Sequence, residues 1–134
     1  MVAVAILGFM LVSLYTGLSS GFAVVKVARE NLRATQILEE RMEVIRLIKW
    51  DDVTPGFIPT TFSAPYYAAD STNSPSAGFS YTGLVSVTNA PLTESYAKEM
   101  RMIKIDVKWT SGNVTRTRQM ITLVSRYGLQ NHIY

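Results

Sequence analysis

The chain has no cysteine and a single histidine, His132. Without thiols there are no disulfides and no thiolate metal sites, and one imidazole cannot form a histidine cluster. The neighbours of His132 are Gln130, Asn131, Ile133 and Tyr134, which supply no nucleophile, carboxylate or second ligand, so an exposed tail histidine is expected. A Gly-rich phosphate loop, a Ser-His-Asp arrangement and a paired acid-base constellation are also missing, and neither enzymatic activity, a cofactor nor a metal is expected. Asp51 and Asp52 are adjacent carboxylates short of the six to eight oxygens that calcium takes, and they read as a helix stop. Asn113-Val-Thr115 matches a glycosylation sequon but falls where a hairpin turn wants Asn anyway. Thirteen basic against ten acidic residues leave a net charge of +3 without a basic stripe, so no nucleic-acid partner is predicted.

Charge is absent from one whole stretch. Met1 to Val25 carries no ionisable side chain except Tyr15, and its length suffices to span a bilayer as a helix. About a dozen Val, Leu, Ile and Phe residues favour insertion by roughly 4–7 kcal/mol, before the polar residues and glycines are set against them. From Lys26 onwards the character changes. Lys26, Arg29, Glu30, Arg33, Glu39, Glu40, Arg41, Glu43, Arg46 and Lys49 alternate in sign, while Val27, Ala34, Leu38, Met42, Ile45 and Ile48 recur at helical spacing. The spacing predicts one helix from about Val4 to Trp50, roughly 70 Å long at 1.5 Å per residue, which is longer than a domain of this size needs for its own core. Partners beyond the domain are therefore expected. Applied to this chain alone, Lys26 and Arg29 would hold the head in the cytoplasm, a conflict that a removed basic leader would resolve.

Met-Val-Ala-Val-Ala-Ile-Leu-Gly at Met1 to Gly8 resembles the stretch that follows the processed N terminus in the type IV pilin and type II secretion pseudopilin superfamily. The resemblance covers residues 1–52. Arg33 to Asp52, ending in Trp50-Asp51, is similar to the minor-pilin and pilus-modification branch. That family carries Phe-Thr-Leu-Ile-Glu just ahead of such a stretch, with an N-methylated phenylalanine and an assembly glutamate. Neither role maps onto a residue here; the expectation is a chain truncated at its front, with both residues before Met1, or one that begins at an unusual processing point. The resemblance implies an α+β, pilin-like fold in which one very long N-terminal α-helix packs on a small antiparallel β-sheet head. It also implies a homo-oligomeric helical filament with other pilins as possible partners, an inner-membrane location before assembly, an assembly platform and a prepilin peptidase.

The chain then divides into an apolar half-helix at 1–25, an amphipathic half-helix at 26–52, a variable surface loop at 53–78 and a sheet head with a tail at 79–134. Two aspartates disfavour the C-terminal end of a helix dipole and Pro55-Gly56 cannot continue it, so the helix is expected to stop at Trp50 to Asp52. The loop is rich in Pro, Gly, Ser, Thr and aromatic residues. In the head, Phe79, Tyr81, Val85 and Val87 share one strand face. Ile103, Ile105, Val107 and Trp109 alternate with Met102, Lys104, Asp106 and Lys108 as a half-buried central strand. Thr110 to Asn113 reads as a hairpin turn, with Val114 to Val124 returning as the partner strand and Arg116 and Arg118 on its solvent face.

The expected filament-core packing residues are Val4, Leu7, Gly8, Leu11, Leu14, Tyr15, Leu18 and Phe22. Gly8 and Gly17 are the expected points of helix melting, each glycine costing about 1 kcal/mol against Ala in a helix interior. Glu39 and Glu43 repel at i,i+4, so Arg33, Arg41 and Arg46 of neighbouring copies are expected to pair with them. Met42, Ile45, Ile48, Ile103, Ile105, Val107 and Trp109 are the expected head core. The function expected is that of a non-enzymatic pilus-like filament subunit. The alternatives are a minor pilin or pseudopilin of a secretion system, and a single-span membrane protein with a β-rich binding head.

Overall fold

The computed structural model describes residues 2–66 and 79–128. It is an α+β protein with one long N-terminal helix, α1 (Val2–Arg46), and one antiparallel sheet of four strands in sequential order. The strands are β1 (Thr61–Pro65), β2 (Ser80–Asn89), β3 (Met100–Ser111) and β4 (Val114–Ser125). Two compact units divide the chain, Met1–Arg33 and Ala34–Tyr134.

In the first unit every residue from Val2 to Lys26 is exposed. The helix runs unbroken through Gly8, Gly17 and Gly21. Three of its hydroxyls turn inward along the backbone. Ser13 donates to the Phe9 carbonyl at 2.8 Å, Thr16 to that of Val12 at 2.5 Å and Ser20 to that of Thr16 at 2.9 Å. Such back-bonding satisfies a hydroxyl without any partner outside the helix. Glu30 is 1 % exposed, the one fully buried charged residue among the described residues.

The second unit is built on the alternation of β3. Ile103, Ile105, Val107 and Trp109 are at most 2 % exposed and face the last three turns of α1, where Ala34, Ile37, Leu38, Met42 and Ile45 form the other half of one core with them. Ile48 is half-buried against that core, and Val53 and Ile58 close it. From β2 come Tyr81 and Val85, whose partners across the ladder are Ala64 on β1 and Ile105 on β3. A file of rings at centroid spacings of 5.0 to 5.3 Å runs from Tyr66 through Phe79 and Tyr81 to Trp109. Tilted aromatic pairs at this distance add about 0.5–1.5 kcal/mol each beyond their burial.

Three features differ from the sequence expectation. The helix ends at Arg46, short of Trp50: the Leu47 amide bonds both the Glu43 and Val44 carbonyls, Ile48 bonds back three residues, and Lys49 is extended. A separate 3-10 turn then spans Trp50–Asp52, and Arg101 holds it by donating to the carbonyls of Trp50 at 2.7 Å and Val53 at 2.5 Å while its guanidinium lies 4.4 Å over the Trp50 ring. The cation from β3 thus sets where the chain turns.

Secondly, the expected loop at 53–78 contains β1, together with buried Val53 and Ile58. Five residues ending in Pro65 suffice because β1 is an edge strand, where a missing amide costs nothing. Residues 67–78, like 129–134 with His132, lie outside the described residues.

Thirdly, Arg116 and Arg118 share the core face of the sheet and not its solvent face. The two-residue turn Gly112-Asn113, with Gly112 at φ 61°, pairs Ser111 with Val114 and hence Trp109 with Arg116 and Val107 with Arg118. Turn length fixes parity, and side chains directly opposite point the same way. Arg118 reaches from this face to donate to Thr35 Oγ1 at 3.2 Å. It is Ile121 and Leu123 that stand outside, 53 % and 46 % exposed.

Candidate functional site

The surface that asks for an explanation is the first half of α1. Val4, Leu7, Leu11, Leu14, Tyr15, Leu18 and Phe22 are between 56 % and 76 % exposed. Their neighbours Val2, Ile6, Phe9, Met10 and Val12 are between 52 % and 76 % exposed. The expected packing stripe is therefore not distinguished from the rest of the circumference: the apolar surface goes all the way round, the pattern of a helix that is covered on every side in its working state. At Gly8 and Gly17 an added methyl group would meet nothing within 4 Å, and both stay helical. This stretch is long and apolar enough to cross a membrane, and none of it is buried in the chain. Apolar surface of this extent is rare on a soluble monomer.

The charged residues of α1 have distinct surroundings within the chain. Arg41 lies 4.6 Å over the ring of Phe62, and Arg46 pairs with Glu43 of its own helix at 2.5 Å. Both arginines therefore have contacts within the head, although the exposed Glu43–Arg46 pair is of the weak surface kind, worth about 0–1 kcal/mol. Arg33 is half-buried, with its Nε enclosed and lacking a hydrogen-bond partner. Glu39 and Glu40 are exposed. Lys26 and Arg29, which the sequence reading passed over as pairing residues, are exposed as well.

No family model, no curated protein and no solved structure matches the chain. Among the described residues no three His, Asp or Glu side chains gather in a metal-binding group. The two surfaces of α1, one uniformly apolar and one charged, are the features that a function has to use. Sequence reasoning missed Arg101, Phe62 and the burial of Glu30. For Arg101 the signal was a basic residue beginning the strand that follows Glu99, which marks nothing without the fold. For Glu30 it was the position four residues before Ala34, on the side of the helix that carries the apolar period.

Proposed function

We propose that the protein is a non-enzymatic subunit of a pilus-like filament, held in a membrane by the first half of α1 before assembly. The observation that carries this reading is the all-round exposed apolar surface from Val2 to Val25 on a helix whose last turns are the scaffold of a small β-sheet head. Lipid covers such a helix in one state and helices of other copies cover it in another. Exchange between the two leaves hydrophobic burial nearly unchanged, so packing and polar contacts decide which state forms. A head-to-tail contact that does not close on itself extends into an open helical filament. The resemblance of Met1 to Gly8 and of Arg33 to Asp52 to the pilin and pseudopilin superfamily supports the same reading, and with it the inner membrane, a prepilin peptidase, an assembly platform and other pilins as partners. A minor pilin or a pseudopilin of a secretion system shares this physics and differs in stoichiometry.

A single-span membrane protein with a β-rich binding head is the reading of another class, and the same apolar stretch favours it. Electron microscopy of surface material sheared from cells, probed with an antibody to the head, separates the two. Labelled filaments are expected. Recovery of the protein solely as membrane-bound monomers or small closed oligomers would replace the filament reading with the single-span one.

A further inference from the structure

β4 is one edge of the sheet, 12 residues long, and contains neither proline nor glycine. Edges of that kind pair with other chains unless something guards or covers them. Arg116 and Arg118 put charge on its first half; from Gln119 to Ser125 there is none. One hydrogen bond shows which backbone groups this second half turns outward. The Arg126 amide donates to the Glu99 carbonyl at 2.9 Å, and Glu99 is the residue opposite it in the register that pairs Met100 with Ser125. Opposite residues of an antiparallel pair alternately exchange two hydrogen bonds and make none. Val124, Thr122 and Met120 therefore bond β3, while Leu123, Ile121 and Gln119 aim their N–H and C=O groups away from it, where no described strand stands.

Beyond Ser125 the chain reverses towards this edge. Arg126 and Tyr127 form a turn, the Tyr127 amide donates to Ser125 Oγ at 3.3 Å, and a methyl group on Gly128 would lie 3.6 Å from the Ser125 carbonyl oxygen. Gly128 does not take the positive φ that a three-residue loop with its bulge asks for, so the turn has two residues and sets Gly128 opposite Ser125. We propose that residues 129–134 of the same chain, which lie outside the described residues, add to β4 as one more antiparallel strand. Carried on from Gly128, the register sets Leu129, Asn131 and Ile133 opposite Val124, Thr122 and Met120, and opposite residues share a face. That face is the core face. Val124 and Met120 are half-buried against the core and each gains an apolar neighbour, while Asn131 meets the Thr122 hydroxyl. Gln130, His132 and Tyr134 fall on the solvent face. The occupant is thus selected twice, by a turn too short to lead to any other edge and by the alternation of its own residues. Slipped by one residue, the same segment would set Gln130 and His132 towards the core.

Hydrogen exchange followed by NMR on the detergent-solubilised full chain reads the edge amide by amide. The amides of Gln119, Ile121 and Leu123 are expected to exchange more slowly, on the order of tenfold or beyond, than in a chain ending at Gly128. Those of Met120 and Thr122, bonded to β3, are expected to stay slow in both and so report that the head is folded. Equal exchange of the first three in two folded chains overturns the proposal. Because the chain has no cysteine, introduced thiols give a second measurement that needs no truncation. Thr122→Cys with Asn131→Cys joins residues of a pair without hydrogen bonds, whose Cα atoms lie about 4.5 Å apart. On mild oxidation it is expected to close a disulfide within one chain on the order of tenfold more than Thr122→Cys with His132→Cys, whose side chains point to opposite faces. Equal yields from the two variants overturn the register and with it the proposal. A disulfide that links two chains instead would give the edge to a second copy, and overturns it as well.

Discussion

The ring of Phe62 lies over Gly83, its partner across the β1–β2 ladder, so closely that a methyl group on residue 83 would stand 2.0 Å from Phe62 Cζ. The same ring carries the Arg41 guanidinium at 4.6 Å from its centroid. The ring thus touches both its inner neighbour strand and the helix, tying the edge strand to each. Gly83→Ala is expected to push Phe62 off its site and destabilise the head by about 1–3 kcal/mol, the range for overpacking. In the Phe62→Ala background the same substitution has room, so the two changes are expected to be strongly non-additive in urea denaturation. Additive effects would show that the ring does not depend on the glycine.

Arg101 joins β3 to the turn that follows α1. Arg101→Ala removes two charge-assisted hydrogen bonds and leaves the carbonyl of Val53, a fully buried residue, without its donor. A loss of about 1.5–3 kcal/mol per such bond is the handicap expected at most, and about 2–3 kcal/mol in total once water reaches the Trp50 end. Arg101→Lys is expected to recover little of it, because an ammonium can neither grip two carbonyls through a fixed fork nor stack flat on Trp50. Chemical denaturation of the three proteins measures the difference.

The placement of β4 has a direct check. Ile121→Lys and Leu123→Lys, on the outer face, are expected to change stability by no more than about 0.5 kcal/mol, as exposed substitutions do. Trp109→Ala, on the inner face beside Tyr81, is expected to cost about 3–5 kcal/mol. Thermal melts that rank the outer substitutions with Trp109→Ala would reverse the faces.

In the apolar half, Leu11→Arg places a charge at the middle of the uncharged stretch. The expected cost of membrane insertion is about 2.5–3.5 kcal/mol, enough to offset much of what the apolar residues contribute. Fractionation of cells is expected to show this variant leaving the membrane pellet, while Ser13→Ala, whose hydroxyl is already bonded to its own helix, remains there.

The fold was legible in the sequence where one period ran long enough to average out exceptions. Ile103 to Trp109 alternates without a break, and Ala34 to Ile45 keeps the helical step, so both halves of the core could be read directly. β1 was not legible, because Thr61 to Pro65 is too short to show a period and the prolines around it argue for a loop until an edge strand is on offer. The faces of β4 were misread for a different reason. Arg116 and Arg118 look like solvent residues, yet the turn at Gly112 dictates which way they point, and long side chains can lie on a core face while their charged ends reach past it. Helix ends depend on partners far along the chain: nothing near Arg46 announces Arg101. For the surfaces of α1, the apolar half was plain from the absence of charge, while the partners of Arg41 and Arg46 depended on the head.

The hydroxyls of Ser13, Thr16 and Ser20 are each bonded to a carbonyl one turn back, so the first half of α1 offers neighbours little directed polar chemistry at these positions. A rod of that kind can be approached, rotated about its axis or slid past a neighbour at little change in energy. Any rule that stops rotation and sliding has to be written in the residues after Val25.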